Sequence, residues 1–104
     1  MGEERKVRIE VVAWVTKFVG GDGSRRAVFD DVARPGESLR TVLRRLSARF
    51  PQLDEALWDR QSAELLGEHI EVIVNDAILG VERTLDGEVQ DGDRITLIGQ
   101  YTGG

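Results

Sequence analysis

Asp91-Gly92-Asp93-Arg94-Ile95-Thr96-Leu97-Ile98 is the stretch on which the fold turns. Asp-Gly-Asp is a tight-turn signal, with glycine free to take the left-handed backbone that such turns favour. The apolar and β-branched run Ile95-Thr96-Leu97-Ile98 reads as a strand, the last regular element of the chain. Upstream of it, residues 85–93 are polar, with isolated apolar anchors at Leu85 and Val89. Ile70-Glu71-Val72-Ile73-Val74 is a second strand, with Val72 and Val74 opposed by Ile73. Asn75-Asp76 is a turn pair, and Ala77-Ile78-Leu79 begins a short return strand.

The first half supplies a hairpin and a helix. Val7-Arg8-Ile9-Glu10-Val11 alternates apolar and charged residues, so Val7, Ile9 and Val11 share one face. The apolar run continues through Val12, Ala13, Trp14 and Val15 to Phe18, and the strand is expected over residues 6–18. Gly20-Gly21-Asp22-Gly23 is a turn cluster. Residues 25–33 read as the returning strand, with Ala27, Phe29 and Asp31 on one side and Val28 and Val32 on the other. Ser38 is the expected N-cap of a helix. Leu39, Val42, Leu43, Leu46 and Phe50 form its apolar stripe, and Arg40, Arg44, Arg45 and Arg49 lie off it. Pro51 is expected to stop this helix. Residues 53–66 suggest a short second helical piece, with Leu53, Leu57 and Trp58 available to pack.

This order of elements predicts an α+β fold. The first and last long strands can lie side by side in a mixed sheet, joined by the helical crossover, with one main helix packed across a face. That is the β-grasp. Residues 1–98 are expected to form its single domain, and residues 99–104 a flexible tail.

Composition removes several functions. With no cysteine, the chain has no disulfide scaffold, thiolate nucleophile or Cys-ligated zinc. A single histidine argues against a Ser-His-Asp triad and leaves no multi-His metal site unless chains associate. A net charge of −5 argues against nucleic acid or an anionic membrane as partner. The polar start Met1-Gly2-Glu3-Glu4-Arg5-Lys6 has no signal-peptide core, and no apolar run is long enough for a membrane span. A cytoplasmic protein is expected.

Other constellations favour plain readings. Gly20 to Gly23 lacks the Gly-Lys-Ser/Thr ending and the following helix of a phosphate loop. Asp30, Asp31, Asp91 and Asp93 lack the alternating oxygen ligands and closing glutamate of a calcium loop, and no metal site is expected. His69 stands alone. The arginine helix reads as a solvated face, because arginine dominates the basic residues throughout and no aromatic residues interleave with it.

The tail is different. Gly103 and Gly104 follow no helix that they could cap, and they add backbone freedom. They read either as frayed chain or as a functional end whose working group is the terminal carboxylate. At neutral pH that group, with an ordinary pKa near ~3.5, is ionised and a poor electrophile. It must be activated before it reacts. Glycine leaves its carbonyl unhindered, and six extended residues reach ~20 Å, far enough to enter another enzyme's pocket.

Val72-Ile73-Val74-Asn75-Asp76, Leu85, the run from Asp91 to Ile98 and the closing Gly103-Gly104 together resemble the ubiquitin-like sulfur carriers of the MoaD/ThiS family. These are relatives of the molybdopterin synthase small subunit. Pro35-Gly36-Glu37-Ser38-Leu39 fits the loop entering the family's helix. Many members carry two prolines before the Gly-Gly, where this chain has Gly99-Gln100-Tyr101-Thr102. The long stretch between Pro51 and His69 is similar to that of the mycobacterial carrier for cysteine synthesis.

The resemblance implies a carrier, not an enzyme. A ThiF/MoeB/E1-like adenylating partner would use ATP and Mg to adenylate Gly104, and sulfur transfer would convert it to a thiocarboxylate. A sulfur-accepting synthase would consume that sulfur in cofactor, cysteine or related biosynthesis. No cofactor would be stably bound, and Tyr101, Thr102 and Gly103 would line the partner's channel. The alternative is a protein modifier joined through Gly104 to target lysines. Alternation places Ile73 and Ile98 opposite the helix-facing residues. Together with Val12 or Trp14 they form either a docking patch for the adenylating enzyme or core beneath the short second helix.

Overall fold

The computed structural model describes residues 4–66 and 69–99. β1 (Arg5–Val11) pairs antiparallel with β2 (Ala27–Ala33), Arg5 opposite Ala33 and Val11 opposite Ala27. β5 (Arg94–Gly99) lies parallel to β1 and antiparallel to β3 (Ile70–Val74). β4 (Ala77–Ile78) returns beside β3, giving the order β2-β1-β5-β3-β4. A parallel pair needs a crossover; here the helices provide it, and β5 occupies the centre. This is the β-grasp sheet expected from the sequence.

The first strand is shorter than its apolar run. β1 ends at Val11, and residues 13–19 form a 3₁₀ helix, η1 (Ala13–Val19), instead of more strand. Val12 gives the ladder one further bond, from its N–H to the Leu97 carbonyl at 3.1 Å. Ala13 then turns the chain with a left-handed φ of 58°. Val15 and Thr16 are adjacent yet both fully buried, which period-two alternation cannot achieve. The Thr16 hydroxyl donates to the Ala13 carbonyl at 2.8 Å and accepts the Gly23 N–H at 3.0 Å. The glycine cluster therefore closes η1, and the β1–β2 connection is long.

α1 (Leu39–Ser47) begins as expected: the Ser38 hydroxyl accepts the Thr41 N–H at 3.1 Å. Two first-turn donors are satisfied by the loop before β5, Leu39 N–H to Gly87 O at 3.1 Å and Arg40 N–H to Leu85 O at 2.8 Å. α1 stops at Ser47, and Pro51 opens the next helix instead of ending the first. Its ring occupies the first turn of α2 (Pro51–Leu57), where no N–H is required. Residues past Leu57 leave the helix and fold back, with Trp58 bridged to Leu65.

The core lies between the sheet and the helices. Val7, Ile9, Val11, Val72, Val74, Ile95 and Leu97 meet Leu39, Val42, Leu43, Leu46, Leu53 and Leu57, all buried. The isolated anchor Val89 is also fully buried. Among the described residues no helix is long and apolar enough to cross a membrane.

Candidate functional site

Three regions matter: the exit of β5, the open face of the sheet, and the loop that fixes where β5 begins. The tail residues Tyr101, Thr102, Gly103 and Gly104 lie outside the described residues. The structure does describe the strand that leads into them. β5 is the central strand, paired with β1 as far as Leu97 and with β3 through Gly99, so the chain leaves at Gly99 still held on the β3 side.

Gly99 pairs with buried Ile70 and alternates with Ile95 and Leu97, which assigns it to the helix-facing side. A Cβ built there would fall inside the indole of Trp14. Trp14 therefore packs behind the tail's root and is not a neighbour of Ile98 on the open face. Phe18 supports it edge-on, with ring centroids 5.7 Å apart.

The open face carries Ile73 and Ile98, both half-buried. Ile73 stands opposite Thr96, and Ile98 opposite Glu71, so the two isoleucines are diagonal neighbours. Neither belongs to the core, and α2 packs on the other side against α1 and η1. Ile78 is opposite Ile73 and is 49% exposed, extending the apolar strip to the sheet edge. Sequence reasoning did not include Ile78. The signal was available: the two-residue Asn75-Asp76 loop sets Ile73 and Ile78 in register.

Elsewhere on this face Val28 and Val32 are exposed on β2, and the charged side chains are paired with one another. Arg8 meets Asp30 at 3.3 Å, Arg26 meets Glu10 at 2.9 Å, and Arg94 meets Asp76 at 3.3 Å. An open depression of about 830 Å³ lies here, lined by Lys6, Arg8, Asp30, Asp76 and Arg94 among others. It sits where β5 starts, at the opposite end from the tail, and its lining charges largely neutralise one another.

Asp93 precedes β5 and is 4% exposed. Arg83 binds both its carboxylate oxygens, at 3.0 and 2.7 Å, and the Gln90 N–H adds a bond of 2.8 Å. Burial pushes this carboxyl up. Arg83, the Gln90 N–H and the Asn75 amide together outweigh burial and hold it below the usual aspartate range. Asn75 clamps the strand start reciprocally: its N–H donates to Arg94 O at 2.7 Å, and the Arg94 N–H donates to its side chain at 3.0 Å.

The other acidic candidates are likewise engaged. Asp31 faces Arg45 at 2.9 Å, and Asp91 accepts the Lys6 N–H at 2.7 Å. Among the described residues no three His, Cys, Asp or Glu side chains converge as a metal site. His69 is exposed. The arginine helix keeps the solvated face expected of it, with Arg44, Arg45 and Arg49 exposed and Arg40 partly buried, and surface contacts engage its side chains. Arg40 spans to Asp86 at 2.7 Å and Glu64 at 3.2 Å, and Arg45 reaches Glu37 at 2.8 Å. Arg44 lies over the Trp58 ring, and Arg49 over Phe29 and Phe50.

Solved structures share this architecture. The small archaeal modifier protein 1 from Methanosarcina acetivorans is 19% identical, with a TM-score of 0.72 over 99% of this chain and 100% of its own. Urm1 from Trypanosoma brucei is 20% identical, with a TM-score of 0.71 over 100% of both chains. A chain of the BexX/CysO complex from Amycolatopsis orientalis is 20% identical, with a TM-score of 0.63 over 94% of this chain and 99% of its own. At these identities the likeness establishes the β-grasp fold. No curated protein sequence matches. The model of the ThiS family matches residues 9–104, from β1 through the closing Gly-Gly. The chain belongs to the ThiS family of ubiquitin-like sulfur carriers.

Proposed function

We propose that the working group of this carrier is the Gly104 carboxylate, which a ThiF/MoeB/E1-like partner adenylates and which then becomes a thiocarboxylate. The observation that carries this reading is the family match, which runs through Gly103 and Gly104. In the adenylation step a carboxylate oxygen attacks the α-phosphorus of ATP and pyrophosphate leaves. A sulfur nucleophile then displaces AMP from the acyl-adenylate. The partner brings ATP, Mg and the catalytic side chains.

The folded domain contributes presentation. β5 is the central strand and stays paired with β3 through Gly99, so it gives the tail an ordered base. Preorganisation of that kind lowers the ordering cost of insertion. Tyr101, Thr102 and Gly103 line the partner's channel. Ile73 and Ile98, with Ile78, give the partner an apolar strip on the open face. A sulfur-accepting synthase then draws on the thiocarboxylate.

Conjugation of Gly104 to target lysines would use the same activated carboxylate. The modifier protein among the structural neighbours is the observation that favours this second reading. ATP–pyrophosphate exchange tests the shared step. The full chain should stimulate exchange by its adenylating enzyme, and the chain lacking Gly104 should not. Equal exchange with the shortened chain would overturn the proposal.

A further inference from the structure

Gly99 is a glycine for reasons of space. Its φ lies outside the left-handed region, so its backbone does not demand glycine. The place of its missing Cβ is filled by the five-membered and six-membered rings of Trp14.

Trp14 is itself firmly held. Ala13, immediately before it, keeps a left-handed φ of 58°, a conformation that persists in a non-glycine residue only when its surroundings enforce it. Val15 and Thr16, immediately after it, are fully buried. On one side the Val12 N–H is tied to Leu97 O at 3.1 Å; on the other the Gly21 N–H is tied to Thr16 O at 2.8 Å. Phe18 braces the indole edge-on. The packing is thus between a fixed aromatic ring and the last described residue of the central strand.

We propose that Trp14 is a positioning residue for the tail: its indole, seated against Gly99, fixes the direction in which the chain leaves β5. This rests on the proposed use of Gly104. A glycine at the tail's root would otherwise sample a wide range of backbone angles. Restricting that range reduces what the partner must order before the carboxylate reaches ATP. Reaction rates are sensitive to placement errors near 1 Å, so the effect falls on turnover more than on docking.

The test uses the full chain and its Trp14→Ala, Trp14→Phe, Gly99→Ala and Trp14→Ala/Gly99→Ala variants, each assayed well below its unfolding midpoint. Trp14→Ala should lower kcat for adenylation roughly tenfold, with little change in KM for the carrier. Trp14→Phe should recover most of the loss. Gly99→Ala should be defective alone, because its Cβ displaces the ring, but harmless on the Trp14→Ala background. Such non-additivity is the signature of direct contact. Unchanged kcat in Trp14→Ala, or additive effects in the double variant, would overturn the proposal.

Amide ¹⁵N relaxation gives a readout independent of the partner. The order parameter at Gly99 should be near that of rigid backbone, about 0.85, and should fall in Trp14→Ala. No fall would overturn the positioning role even if the chain is adenylated. Failure of the unaltered chain to be adenylated, with the relaxation result as expected, would count against the use of Gly104 and leave the Trp14 restraint standing.

Discussion

Both terminal nitrogens of Arg83 grip the carboxylate of Asp93, at 2.7 and 3.0 Å, immediately before the central strand begins. The pair joins the loop after β4 to the start of β5. Asp93→Asn should therefore destabilise the fold by about 2 kcal/mol at neutral pH, the scale of a lost hydrogen bond to a charged group. The folded state lowers the Asp93 pKa, so its stabilisation is present above the unfolded aspartate pKa of about 3.9 and is lost as pH falls through the folded value. Urea unfolding across pH should show the gap between the two proteins closing below about pH 4.

A second prediction concerns the join between α1 and α2. The Trp58 indole N–H donates to the Ser47 hydroxyl at 3.0 Å, and that hydroxyl donates to Asp54 at 2.9 Å. Ser47 is fully buried. Ser47→Ala leaves a buried indole N–H without its partner and should cost about 1–3 kcal/mol. The urea midpoint should fall with an unchanged slope.

The open face yields a third. Ile73→Asp and Ile98→Asp place charge on the apolar strip while leaving the core untouched. Each should raise KM for adenylation several-fold at a stability cost of about 1 kcal/mol. An unchanged KM would remove these residues from the docking surface. This differs from Trp14→Ala, whose loss falls on kcat.

Much of the fold was legible because its signals are local. The stripe from Leu39 to Leu46, the alternation of residues 7–11 and the Asp91-Gly92-Asp93 turn each specify their element within a few residues. The segment from Val12 to Phe18 was misread because an unbroken apolar run does not distinguish strand from tight helix. What ends β1 is the left-handed Ala13 and the burial of Thr16, on a 3₁₀ helix packed against α2 and β5, both remote in sequence. The solvated face of the arginine helix is legible, but the ion pairs of Arg40 are not, because its partners Asp86 and Glu64 are remote in sequence. The role proposed for the terminal glycines comes from composition and resemblance. The seat that Trp14 forms for Gly99 needed coordinates, since the two residues lie on different elements.

The most direct test is the intact mass of the chain isolated from cells that contain its adenylating and sulfur-transfer partners. A thiocarboxylate at Gly104 adds about 16 Da, sulfur replacing oxygen, and the C-terminal peptide should carry the whole increment. That gain is the expected result, as is its loss when Gly104 is deleted. A chain of unaltered mass under those conditions, or one recovered only as Gly104 amide-linked to lysines of other proteins, would contradict it.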